Sequence, residues 1–334
     1  MATMTMGTSS RQGERLKLLL LRQASLVLFL AVLIIFTILS DRFLSTQNFI
    51  NILIQTSHVA ILGIGITFVL LTAGIDLSVG AVMYLAVAFF GTYAAGLSAG
   101  LSLLVCMGVG LAFGLVNAFF VVIVRVPAFI TTLATLFIGR GIALWITQTK
   151  MVFYDTEILS LGRASYLGIP WAILVLAIIF AIAWVTLTQT PFGRQIYAVG
   201  ENPEAAKKAG IDVPQTLFSV YLICSVCAGI AGFVSITQVG AASPTFGFEK
   251  EFSAIAAAVL GGTSLFGGRG GVIGTLFGAI LIQTVNNGLV IVNANPYVYP
   301  LVTAGIIFLA VFVDSQRSRI LEAINRRTIR VEEV

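Results

Sequence analysis

The chain has 334 residues, 58% of them hydrophobic and only 10% charged, with a mean hydropathy of +1.02. A soluble domain needs roughly 25% charge to cover its surface, so the composition excludes an ordinary globular protein and implies an all-α, polytopic membrane protein. The net charge of +5 sits largely at the two ends. It reports orientation and does not imply nucleic acid.

Residues 1–23 form a polar, basic N-terminal segment carrying Arg11, Arg15, Lys17 and Arg22. The apolar run that follows could pass for a signal peptide. No small-residue cleavage site follows it and further spans do, so it reads as a retained first helix. At about 20 apolar residues per span, helices are expected near 24–40, 52–72, 78–97, 101–124, 128–147, 169–188, 215–238, 253–266, 271–292 and 297–314. That makes about ten transmembrane helices in a transmembrane domain, 24–314, followed by a tail, 315–334.

Lys and Arg in short loops stay cytoplasmic. Starting inside places Arg125, the segment 190–214, Arg269 and the tail arginines Arg317, Arg319, Arg326, Arg327 and Arg330 all in the cytoplasm. Both termini of the multi-pass chain are then cytoplasmic. The two longest external loops, 148–168 and 239–252, mix Asp155, Glu157, Glu249 and Glu251 with Lys150, Arg163 and Lys250. Such loops either face a soluble partner or are merely solvated.

Two hairpins on the cytoplasmic side look alike. LLTAGIDLSVGAV from Leu70 carries Gly74, Asp76, Ser78 and Gly80, and VLGGTSLFGGRGGVIGTL from Val259 carries Gly261, Gly262, Gly267, Gly268 and Gly270. Breaks of this kind survive at membrane depth only inside protein or along a cavity. Asp76 or Ser78 can cap the third helix. The second hairpin is no P-loop and no dinucleotide fingerprint, since the required spacings and a preceding strand are absent.

Polar residues within spans need a partner or water. His58, the single histidine, lies in the second helix, Asn117 in the fourth beside Gly110 and Gly114, and Arg140 in the fifth. Gln283, Asn286 and Asn287 share a face of the ninth helix at i, i+3 and i+4. Each fits either helix packing or a polar solute path. Arg140 would cost about 2.5 to 3.5 kcal/mol at a bilayer centre, so it must face protein or water or reach outward. Cys106, Cys224 and Cys227 all fall in expected spans, which excludes a disulfide framework; Cys224 and Cys227 read as small packing residues and not as a metal site.

The segment TPFGRQIYAVGENPEAAKKAGIDVP, 190–214, is the most polar interruption of the chain. Asn202 can act as N-cap, Pro203 fits the first helical position and Gly210 supplies a left-handed stop, which brackets a two-turn helix from Pro203 to Ala209. So short a helix is marginal alone in water and needs a support or a partner.

The motifs FGRQIYAVGENPEAAKKAGI, LLTAGIDLSVGAV, PAFITTLATLFIGRGIAL and LGGTSLFGGRGGVIGTLFGAI, in this order, resemble those of permease subunits of ribose-type bacterial ABC importers. The resemblance covers nearly the whole chain beyond Arg22. It implies a second permease copy or close paralogue, surrounding lipid, two cytoplasmic ATP-binding subunits that bind ATP and Mg, and a periplasmic protein that delivers a monosaccharide. No cofactor or metal on this chain is expected, and no catalytic residue. The family's coupling region maps onto Arg194 to Gly210, taking in Arg194, Tyr197, Gly200, Asn202, Glu204, Ala205, Ala206 and Gly210. Alternating access driven by the ATPases is the implied mechanism. An ion-coupled sugar carrier is the alternative, but it would need paired ionisable groups at the midplane, and no buried carboxylate partner for Arg140 or His58 is evident. A membrane-embedded enzyme would need a nucleophile, base or metal cluster that one histidine does not provide.

Overall fold

The computed structural model describes residues 24–305 together with Phe308 and Phe312. The expected segments 1–23 and 315–334, with the two termini, lie outside the described residues. Two units emerge, Thr46–Gln283 and a smaller one drawn from Met1–Ser45 and Thr284–Val334. The helices in order are α1 (Ala24–Leu39), α2 (Thr46–Leu71), α3 (Val79–Tyr93), α4 (Ala99–Ala118), α5 (Ala128–Thr147), α6 (Thr156–Arg163), α7 (Trp171–Gln189), α8 (Pro191–Glu201), α9 (Pro203–Lys208), α10 (Val213–Val239), α11 (Lys250–Leu260) and α12 (Val272–Ile291). Strand β1 (Val152–Phe153) pairs antiparallel with β4 (Ala241–Ala242), and β2 (Ser165–Tyr166) with β3 (Ile169–Pro170).

Among the described residues, six helices are long and apolar enough to cross a membrane: α2, α4 with its π-helical extension Phe119–Ile123, α5, α7, α10 and α12. The other expected spans turn out differently. At 15 residues, α3 is about 22 Å long, short of the roughly 30 Å hydrocarbon core. It is apolar on every side and buried on every side from Val79 to Ala88, as an enclosed helix must be. The expected span 253–266 is corrected to α11, whose 11 residues reach only about 16 Å. Hydropathy carried the expectation past Leu260 because Leu265 and Phe266 are apolar. In the structure both lie exposed in the glycine turn, Phe266 at 89%. The expected span 297–314 is helical over 299–305 and otherwise falls largely outside the described residues.

In the larger unit α10 is the central post, packed against α4, α2 and α3. Glycines bring the backbones together: a Cβ on Gly110 would overlap the carbonyl of Ser225, and one on Gly229 the carbonyl of Cys106. Cys224 and Cys227 lie beneath Gly65 in the same way, as small residues that let α2 close on α10. The loops expected to be external are folded. Ribbon β1–β4 joins 148–168 to 239–252, Tyr154 donates its hydroxyl to the Val87 carbonyl at 2.9 Å, and Glu157 accepts from the Ala99 N–H at 3.1 Å. Helix α6 was not expected, although Asp155 before its first turn, Glu157 within it and Arg163 in the last turn complement the helix dipole. The smaller unit has its own apolar core of Val32, Phe36, Phe43, Val285 and Leu289.

Candidate functional site

Three segments that the sequence places on one side of the membrane meet at a single junction. Thr190 opens α8: its Oγ1 accepts from the Gly193 N–H at 3.2 Å and donates to the Thr186 carbonyl at 2.6 Å, with Pro191 at the first helical position. Gly193, Ile196, Val199 and Gly200 then form the buried stripe of α8. At its end, a Cβ on Gly200 would overlap the Leu71 carbonyl oxygen and lie 2.7 Å from the Gly268 nitrogen. That carbonyl belongs to the last turn of α2, which has no partner within the helix, and the Gly268 N–H donates to it at 3.0 Å. Tyr197 donates its hydroxyl to the Gly270 carbonyl at 2.9 Å. Partial burial raises the Tyr197 pKa and keeps the group a neutral donor. Helix α8 therefore clasps both glycine hairpins, one at Leu71 and the other at Gly268 and Gly270.

The next helix points away from this clasp. The Asn202 side chain accepts from the Ala205 N–H at 3.0 Å and Pro203 takes the first position. Ala209 closes α9 one residue earlier than expected, and Gly210, at φ +84°, donates to the Lys207 carbonyl. Ile211 donates to the Ala206 carbonyl at 3.0 Å, and Asp212 caps α10 by accepting from Gln215 at 2.9 Å. The residues expected in coupling divide into two faces. Arg194, Asn202, Glu204, Ala205 and Gly210 are exposed, along with Lys207 and Lys208. Gly200 and Ala206 are buried, Ala206 to 4%, and Tyr197 is half-buried, so these three fasten the element to its support. Sequence reasoning missed α8 as a helix. Its signal was the Thr190–Pro191 pair, the same cap-then-proline pattern that revealed α9.

The first hairpin holds a buried polar chain. Asp76 Oδ1 accepts from the Ser78 N–H at 2.9 Å and from Ser78 Oγ at 2.6 Å; Asn117 donates to Ser78 Oγ at 2.8 Å; Thr135 donates to Asn117 Oδ1 at 2.7 Å. Asp76 thus takes a backbone N–H just ahead of α3, and Ser78 caps none within it. Gly74 packs beneath the Tyr221 hydroxyl. Both ends of the Asn117 amide are spent on neighbours, an arrangement that favours helix packing for it. Asn117→Leu is expected to lower the thermal stability of the purified protein by about 1–3 kcal/mol, the usual cost of stranding buried polar partners. An unchanged unfolding midpoint would show that the network carries no stability. In the second hairpin, the Gly261 backbone lies directly on that of Gly274, Gly262 and Gly267 turn the chain at φ +87° and +86°, and Thr67 shares a 2.6 Å hydrogen bond with Thr275.

His58 is half-buried, with a buried Nδ1 that has no hydrogen-bond partner among the described residues. Gln283 and Asn287 are buried, and Asn286 accepts from Thr303 Oγ1 at 3.1 Å. Arg140 has its guanidinium carbon 5.9 Å from the centre of the Tyr84 ring and 5.3 Å from that of Phe248. Glu251 is only 6% exposed, and among the described residues no ion pair joins it to Arg140. The sequence placed Glu251 in an external loop, but that loop dips inward: a Cβ on Gly247 would overlap the Gly80 carbonyl, and one on Gly80 the Glu251 carboxylate. Only glycine at both positions admits so close an approach.

The family described as branched-chain amino acid transport system / permease component matches residues 48–312. The chain is 38% identical over 324 residues to the ribose import permease protein of Escherichia coli strain K12, covering 94% of this chain and all of that relative. It is 38% identical to the D-allose transport system permease protein of the same strain, covering 86% and 89%, and 34% identical to the fructose import permease protein of Rhizobium meliloti, covering 86% and 83%. No solved structure matches significantly. With a full-length relative, a family match over most of the chain and six membrane-crossing helices, the chain belongs to this permease family and is a multi-pass, inner-membrane subunit of an ABC importer, a transport component and not an enzyme.

Proposed function

We propose that this chain forms the transmembrane pathway for a monosaccharide or related polyol, delivered by a periplasmic binding protein and moved by alternating access. Separate ATP-binding subunits, which hold ATP and Mg, dock on the outward face of α9 and the exposed Arg194. The observation that carries this reading is the clasp of α8 on both glycine hairpins. A push on a short, outward-facing helix is relayed at Gly200 to the end of α2, and at Tyr197 to the hairpin that joins α11 to α12. A loosely attached loop would absorb the same push. The wider assembly in this reading has a cytoplasmic segment 1–23, a permease body 24–314 that includes the coupling segment 190–214, a cytoplasmic tail 315–334, and a second permease copy embedded beside it in lipid. Arg140 borders the solute path in the larger unit, with His58 and Gln283 as further polar groups available to it; Asn286 and Asn287 are candidates carried by the smaller unit. The sugars named for the relatives support the substrate class, and nothing favours an ion-coupled carrier.

Reconstitution tests the reading directly. Proteoliposomes holding this chain with its ATP-binding subunits and binding protein should accumulate labelled sugar when loaded with ATP, and should ignore a proton or sodium gradient. Accumulation by this chain alone under either gradient would overturn it.

A further inference from the structure

We propose that Arg140, Glu251 and Phe248 form a solute-binding subsite at membrane depth, selective for a neutral, polyhydroxylated solute; this rests on the sugar-permease reading above.

Depth comes first. Arg140 lies twelve residues into the twenty-residue span Ala128–Thr147, about 18 Å from its start and 10 Å from its end at 1.5 Å per residue. Glu251 is the second residue of α11, whose far end at Leu260 leads into the hairpin clasped by α8. Nine residues of rise put it about 13 Å from that end. Both charges are therefore carried well within the hydrocarbon zone, where a charged face turned to lipid is costly and such groups border protein or water.

The second observation is that Glu251 keeps an unspent acceptor. It is 94% buried, yet its Oε2 has no hydrogen-bond partner among the described residues. A buried acceptor left unmade is expensive, and a solute hydroxyl would satisfy it. The third is chemical complementarity. The Tyr84 and Phe248 rings lie near the Arg140 guanidinium, whose five N–H groups form a fixed donor array. Phe248 is itself 58% exposed, so its ring offers an apolar surface next to the Arg140 donors. A sugar presents what this set recognises: hydroxyls that both donate and accept along its rim, and a C–H face that covers an aromatic ring. Arg140 and Glu251 carry opposite charges, a combination that suits a neutral solute with both donor and acceptor hydroxyls.

The test uses the complete importer in proteoliposomes with internal ATP, one binding-protein preparation, and labelled D-ribose, D-allose and D-fructose as probes. For Glu251→Gln, uptake of the best probe should fall about tenfold or more, and the ratio of rates between probes should shift by about threefold, since a site that loses a hydrogen bond to one hydroxyl penalises sugars unequally. Phe248→Leu should shift the ratios too, while Phe248→Tyr should restore the wild-type order. A folding or assembly defect lowers all three rates by a common factor and leaves their ratios intact. Unchanged ratios in both Glu251→Gln and Phe248→Leu, with sugar uptake by the wild type intact, overturn the subsite and leave the sugar-permease reading standing. Failure of the wild-type importer to carry any of the three sugars overturns both.

Discussion

Gly200→Val is expected to abolish ATP-driven uptake. The added Cβ would overlap the Leu71 carbonyl and crowd the Gly268 nitrogen at 2.7 Å, both of them backbone atoms that cannot swing aside like a flexible side chain. Either α8 lifts away or the 3.0 Å hydrogen bond from Gly268 to Leu71 opens. Overpacking of this kind costs about 1–3 kcal/mol, and here it falls on the contacts that join α8 to both hairpins. The predicted result is a protein that still inserts in the membrane and still meets its ATP-binding subunits through α9, whose exposed face is untouched, but that hydrolyses ATP without moving solute. Uptake and ATP turnover measured on the same proteoliposomes check it. Wild-type uptake by Gly200→Val would mean that the clasp transmits nothing.

Ala205→Glu should instead separate the permease from its ATP-binding subunits. Ala205 lies on the exposed face of α9 between Glu204 and the lysines Lys207 and Lys208, so a carboxylate there leaves the fold intact and is desolvated only when a partner covers it. An unpaired charge buried at an interface costs several kcal/mol, enough for about a several-hundredfold loss of affinity. Co-purification should fail while the thermal stability of the isolated permease is unchanged. Its neighbour behaves in the opposite way: Ala206 is buried and its carbonyl accepts from Ile211, so Ala206→Glu places the charge inside the protein and should lower stability before any docking is tested. The two adjacent alanines thus separate a docking surface from its support. Normal co-purification of Ala205→Glu would remove α9 from the docking surface.

The short helix α9 was legible because caps act locally. Asn202, Pro203 and Gly210 announce α9 through hydrogen bonds that span no more than four residues, and the structure closes the helix within one residue of the bracket. Thr190 and Pro191 carried the same information about α8 and were overlooked. Glu251 illustrates what a local reading cannot reach. In sequence it sits in a stretch of mixed charge that looks like a solvated loop, and nothing within ten residues says that Gly247 will rest on Gly80, about 170 positions earlier in the chain.

Membrane class, the order of the apolar helices and the family resemblance were all determined by the sequence alone, because each depends on composition, run length or contiguous motifs. Tertiary structure alone decided which apolar runs span and which stop short. Helix α11 ends at Leu260, where Gly261 packs on the backbone of Gly274, and the short α3 is enclosed by protein from Val79 to Ala88. It also decided the burial of Glu251 against Gly80, the clasp of α8 on two distant hairpins, and the inward turn of Ala206. The physical reason is common to all of these. Hydrophobicity along the chain measures preference for an apolar medium but does not distinguish lipid from protein, and close backbone contact through glycine leaves no trace in hydropathy.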